Sequence, residues 1–226
     1  MRVLSVSTGM AAPLFASLVD TAPRGTREQV ISGIRKVPVS TLAEPRRIVL
    51  GPLGFEGDEQ VDLTVHGGRD KAVYAYPNEH YGVWRTIREQ ATRFDEPLPH
   101  GFVGENLTVE GLLENRVWIG DVLVIGPAAM DDAADDAATG AANAAPPVRL
   151  RIDAPRGPCF KFNARMGFPH AAKMMVQSAF TGFYLEVLET GTVAAGDTIR
   201  IVAGTREVTV EEMHRLITRG RPRDLL

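Results

Sequence analysis

The chain has 226 residues, 44% of them hydrophobic and 23% charged, an ordinary globular composition with enough apolar material for a core. A net charge of −3 gives none of the basic excess of nucleic-acid binders, and no run approaches the ~18 apolar residues of a membrane helix. The single cysteine, Cys159, rules out an internal disulfide framework, so the expectation is a cytoplasmic protein with no nucleic-acid and no membrane partner.

Residues 1–7 alternate apolar and polar positions and read as a first strand, not as a secretory leader. Similar runs at 47–50, 61–65, 71–76, 107–109, 148–152 and 183–188 predict further short strands, most of them separated by Gly and Pro. Amphipathic helices do not intervene regularly, which favours a sandwich or barrel over a βαβ architecture. The pattern V-x-x-G-D-x-[LI]-x-I occurs twice, at 117–125 and 193–201, and strengthens the barrel reading. In both copies Gly and Asp suit a turn into a strand, which makes Asp121 and Asp197 turn formers. Three helices are predicted. The first spans 77–89, with Pro in its first turn and Tyr81, Trp84 and Arg88 on one face; the second spans 169–179. The third starts where Thr209 and Glu212 have capping-box spacing and ends at Gly220, with Pro222 beyond. The Ala-, Asp- and Gly-rich segment 128–147 reads as a mobile insert loop whose aspartates lack the spacing and glycine of a calcium loop.

Three segments carry candidate chemistry. Cys159 lies in a predicted turn, Arg156-Gly157-Pro158-Cys159-Phe160-Lys161, where flanking cations suit a thiolate that attacks electrophiles or binds a soft metal. The alternative is a small buried hydrophobe. In His66-Gly67-Gly68-Arg69-Asp70-Lys71, main-chain N–H groups with Arg69 and Lys71 suit an anion, although a hairpin with a capping His fits equally. In Gly104-Glu105-Asn106, Glu105 suits acid–base work and the Asn106 amide suits reading a polar heterocycle, while turn formation explains Asn106 as well. The paired Cys/His spacing of zinc sites, a Walker loop, a G-x-S-x-G elbow and a G-x-G-x-x-G fingerprint are all missing from the sequence.

In order along the chain, the segments Ser32-Gly33-Ile34-Arg35-Lys36-Val37-Pro38-Val39, Leu53-Gly54-Phe55-Glu56-Gly57-Asp58, His66-Gly67-Gly68, Gly104-Glu105-Asn106-Leu107, Arg156-Gly157-Pro158-Cys159 and Gly182-Phe183-Tyr184 resemble the MOSC family in its YiiM-like bacterial branch. The resemblance spans about residues 1–205. It implies a mainly β fold, a MOSC-type β-barrel with a few peripheral helices and a short C-terminal helix. On this reading residues 1–205 form the barrel domain and 206–226 a helical tail, where YiiM-like chains usually continue into a longer helical extension. The resemblance further implies a molybdenum cofactor (Mo-molybdopterin) whose metal is ligated by Cys159. Lys36, His66, Lys71, Asn106 and Arg156 are then candidates for the groove, and His66 and Glu105 for the proton donor. Characterised relatives reduce N-hydroxylated purines and amidoximes, so the substrate expected is a small N-hydroxylated molecule. Electrons would come from a separate redox protein, since no flavin or nicotinamide fingerprint and no iron–sulfur cysteine set is present. The rival readings are a carrier of molybdenum cofactor or of sulfur that does not turn over, and a metal-free Cys159 nucleophile activated by His66. Whether the chain is a monomer or a homodimer stays open at this point.

Overall fold

The structure, a computed structural model, describes residues 1–15, 29–61, 67–127 and 146–219. His66, most of the strand expected at 61–65, residues 128–145 of the insert and the tail beyond residue 219 lie outside the described residues.

The chain opens with β1 (Arg2–Thr8), the hairpin strands β2 (Ala12–Phe15) and β3 (Gln29–Ser32), then β4 (Val37–Thr41), β5 (Ile48–Gly51) and β6 (Gly54–Phe55). β7 (Val73–Pro77) leads through a 3-10 turn into α1 (Tyr81–Thr92), followed by β8 (Leu107–Glu110), β9 (Val122–Gly126) and β10 (Val148–Pro155). Then come α2 (Phe160–Met166), α3 (Ala171–Ser178), β11 (Phe183–Glu189), β12 (Gly191–Val193), β13 (Thr198–Val202) and α4 (Val210–Arg219). Seven strands close a barrel in the order β13-β9-β10-β11-β7-β8-β1, the ring being completed where Arg2 of β1 faces Thr198 of β13. Every pairing around it is antiparallel except β7 with β8, and β4 lies against the far end of β1.

The barrel core is built on apolar side chains, among them Val3, Val6, Leu107, Leu123, Ile125, Leu150, Ile152, Phe183 and Leu185, all fully buried. Strand alternation splits β7 between two environments. Val73 and Ala75 enter this core, while Tyr74 and Tyr76 face outward into a second, aromatic cluster with Tyr81, Trp84, Phe162 and Met175, which seats α1, α2 and α3 on the barrel wall. Tyr76 Oη accepts a hydrogen bond from Trp84 Nε1 and donates to the Phe180 carbonyl, so the outward face is polar at its tips and apolar along its rings.

The repeated sequence pattern proves to be a repeated turn. Asp121 accepts from the Trp118 amide and Asp197 from the Ala194 amide, each three residues back, and Gly120 and Gly196 take φ of +88° and +92°. The strands that follow, β9 and β13, pair with each other. Each buried carboxylate is also paired with an arginine, Asp121 with Arg206 and Asp197 with Arg47. The expected capping box is formed as well: Glu212 N–H donates to Thr209 Oγ1 at 3.1 Å, and Thr209 N–H donates back to Glu212 Oε2 at 2.9 Å. That backbone donation, backed by the Thr209 hydroxyl, holds the Glu212 carboxyl below its ordinary value.

One local reading is corrected. The segment after Cys159 continues as the helix α2 and not as a turn: Phe162 N–H bonds back to the Cys159 carbonyl, and Gly167 ends the helix at φ +80°. The Gly-Pro pair that suggested a turn sits just before the helix, where its breaking effect is harmless.

Candidate active site

An open cleft lies on the outer wall of the barrel. One wall is the segment 32–36 after β3, a second is 58–61, and a third combines Arg156, Cys159 and Lys161 at the entrance to α2 with Tyr74 and Tyr184 from β7 and β11. The first two walls touch closely. A Cβ on Gly33 would stand 2.4 Å from the Glu59 carbonyl oxygen, so a larger residue here would push the walls apart.

Arg156 is the least ordinary group present. It is 7% exposed, lines the cleft and has no carboxylate partner among the described residues. Its guanidinium lies 4.9 Å from the Tyr74 ring centroid and reaches the Met175 sulfur at 3.5 Å, with Tyr184 lining the same cleft. A permanently charged fork is thus buried against rings with no carboxylate among the described residues paired to it. Cys159 stands half-buried beside it at the first turn of α2, close enough for the two groups to interact. Lys71 and Lys161, both half-buried, add positive charge to the rim.

Across the cleft, Lys36 is almost fully buried and ion-paired with Asp58. Burial lowers the Lys36 pKa; the Asp58 charge and hydrogen bond oppose this but do not cancel it. Asp58 also accepts from Gly9 N–H and Asn106 Nδ2, each at 2.9 Å.

Of the residues singled out in the sequence, Lys36, Lys71, Asn106, Arg156 and Cys159 come together in this cleft. Asn106 lines it, but its amide is already committed: Oδ1 accepts from Tyr74 N–H, and Nδ2 donates to the Ser7 carbonyl and to Asp58. Its part is to tie β1, β7 and Asp58 together. Glu105 is not brought to the cleft. It is fully buried, and its Oε1 accepts from Gly101 N–H, Thr108 Oγ1 and Tyr81 Oη. Sequence reasoning missed Asp58, Gln60, Tyr74, Tyr184 and Lys161 as cleft residues. Gln60 positions its neighbour: it accepts from Gly68 N–H and donates to the Leu53 and Lys71 carbonyls, which fixes the loop bearing Lys71. The local signals for these residues were weak, since an Asp or Gln in a Gly-rich segment reads as turn chemistry.

The MOSC domain family matches residues 62–200. The chain belongs to the MOSC domain family, in its YiiM-like branch. The relatives of this MOSC chain include the uncharacterized protein YflK of Bacillus subtilis, 33% identical over 84% of this chain and 72% of YflK. Protein YiiM of Escherichia coli is 34% identical over 73% of this chain and 63% of its own length. A protein named reductase from Gibberella moniliformis is 34% identical over 66% of this chain, which spans only 22% of that longer protein. The crystal structure of YiiM from Geobacillus stearothermophilus superposes at a TM-score of 0.64 over 97% of this chain and 86% of its own, at 24% identity, and shows the same fold. That of E. coli YiiM superposes at 0.59 over 83% and 75%, at 27% identity. Among the described residues this MOSC fold is a mostly β structure with a closed seven-stranded barrel and four α-helices. No helix among the described residues is long and apolar enough to cross a membrane.

MOSC domains are associated with the molybdenum cofactor, and the residues present fit that group. A phosphate would find a buried guanidinium in Arg156, and a soft metal would find a thiol donor in Cys159. Among the described residues no three His, Cys, Asp or Glu side chains gather to hold a metal ion.

Proposed function

We propose that this MOSC domain holds a molybdenum cofactor through Cys159 and reduces N-hydroxylated compounds, purines or amidoximes, with electrons from a separate redox protein. The observation that carries the proposal is the buried Arg156, without a carboxylate partner among the described residues, beside the only cysteine in an open cleft. When bound, the cofactor would supply the two-electron, oxygen-removing chemistry. The chain's own residues bind, orient and deliver protons. Arg156 and Lys161 neutralise the phosphate, Tyr74 and Tyr184 provide a ring surface for a flat heterocycle, and the Asp58–Asn106 network keeps Lys36 in place. Reducing N–OH to N–H consumes two electrons and two protons and releases water, so a proton donor must face the reacting oxygen. Glu105 is buried outside the cleft, which transfers that role among the described residues to Lys36 or Tyr184. Lys36 is the better placed of the two, because burial already weakens its hold on its proton, whereas burial raises the Tyr184 pKa.

The test is the molybdenum content of wild type and Cys159→Ala from a cofactor-competent host, with the same samples assayed on an N-hydroxylated purine and an artificial electron donor. Near-stoichiometric metal with turnover, both lost in the variant, is the expected result. Metal without turnover would leave a cofactor carrier, and wild-type protein without metal would sink the proposal.

A further inference from the structure

A second group of cations lies one helical turn from the cleft. Lys161 is in the cleft wall and Arg165 follows four residues later on the same face of α2, a spacing of roughly 6 Å between Cβ atoms. Ile34 packs in one cluster with Ala164, which brings the neighbouring Arg35 close enough to repel Arg165. The Arg165 guanidinium lies 4.0 Å from the Phe102 ring centroid, and its Nε donates to the Phe102 carbonyl at 3.1 Å. Arg88, arriving from α1, lies 5.5 Å from the same centroid.

Counter-charge at this ring is thin. The carboxylate facing Arg88 is that of Glu96, 3.8 Å away and 70% exposed. Glu105 also acts on Arg165 from a distance, its Oε1 engaged by the neutral donors of Tyr81, Gly101 and Thr108 and its Oε2 without a hydrogen-bond partner among the described residues. It supplies one negative charge against three arginines but no direct contact to them. Arg88 Nε is buried with no hydrogen-bond partner, and the terminal nitrogens of Arg165 make no hydrogen bond, among the described residues. Burial, then repulsion by Arg35, lowers the Arg165 pKa. A buried donor left open next to converging like charges is costly unless something acidic completes the arrangement.

We infer that Arg35, Arg88 and Arg165 form a second oxyanion subsite beside the cleft, which takes a phosphate-class group on the forked guanidinium donors around Phe102. Guanidiniums present paired N–H donors that match a tetrahedral oxyanion, and stacking on Phe102 fixes the direction in which Arg165 offers them. Free phosphate and a phosphate carried on a ligand extending out of the cleft share this chemistry. The ligand-borne version deepens the cofactor proposal by giving the cleft's occupant a second anionic end, and it rests on that proposal; the free-phosphate version does not.

The experiment is calorimetric titration at low salt with inorganic phosphate and with ADP, using wild type, Arg165→Gln, Arg88→Gln, Arg35→Gln and Arg156→Gln. Wild type is expected to show two phosphate-binding events. Arg165→Gln and Arg88→Gln should each weaken one of them about tenfold, as expected for the loss of a charge-assisted contact worth about 1.4 kcal/mol. Arg156→Gln should weaken the other. Arg35→Gln alters an exposed residue, so a several-fold loss there cannot be attributed to misfolding. Non-additive effects of Arg156→Gln and Arg165→Gln on ADP would assign the subsite to a ligand spanning both places, and additive effects would assign it to free phosphate. Unchanged phosphate binding in Arg165→Gln, Arg88→Gln and Arg35→Gln would overturn the inference. Molybdenum loading plays no part in this readout, so failure of the cofactor proposal would leave it standing.

Discussion

The barrel interior and the cleft wall are built from the same strands by opposite means. On β7, Val73 and Ala75 enter the apolar cluster of the core, while Tyr74, on the other face, meets Arg156 and the cleft. On β11, Phe183 and Leu185 are buried in the core while Tyr184 between them lines the cleft. The two-residue period of a strand thus lets one segment serve folding with alternate side chains and recognition with the others. The inward set fixes stability, and the outward set is free to carry charges that a core would reject.

The strongest way to test that division is to damage each face in turn. Leu150→Ala, in the interior, should lower the unfolding free energy by about 2–5 kcal/mol, measured by chemical denaturation. A loss well under 1 kcal/mol would mean that the barrel is not the stability unit. Arg156→Met should change stability by less than about 1 kcal/mol, because an apolar chain of similar length replaces a buried charge that no carboxylate among the described residues balances, yet oxyanion binding in the cleft should be lost. A large loss of stability instead would make Arg156 a structural residue.

The smallest effect concerns pH. Lys36 has a pKa below the ordinary lysine value in the folded protein, so the unfolded chain binds its proton more tightly. Between the lowered folded pKa and 10.5, unfolding takes up a proton, and stability gains from Lys36 as pH rises through that window. The stability of wild type relative to Lys36→Met should therefore increase toward alkaline pH, read from denaturation curves at stepped pH. A flat difference would show that Asp58 fully offsets the burial.

The features that could be read from the sequence are local ones. The V-x-x-G-D turns need only residues three apart, and the Thr209–Glu212 box needs one helical turn, so both appear as written. The cleft is different, because Lys36, Asp58, Asn106 and Arg156 meet through strand pairings that no short window contains. Asn106 looked like a reader of ligands because its side chain suits that task, but the structure uses its donors and its acceptor to join three segments. Glu105 shows the limit of alternation. Gly104 at φ +98° breaks the strand pattern just before it, so its direction could not be inferred from that of its neighbours. The helix α2 escaped notice because it has only seven residues, too few for a clear 3.6-residue period.

The meeting of Arg2 with Thr198 has a consequence for how the molecule is made. On the ribosome, β1 emerges first and β13 almost 200 residues later, so the cylinder cannot shut until nearly all of the barrel has been synthesised. Until then β1 keeps an unpaired edge, and closing so long a loop carries an entropic cost that only the completed core repays. Closure of the ring at the Arg2 end of β1 is therefore expected to be a late step of folding, after β4 has covered the strand's far end.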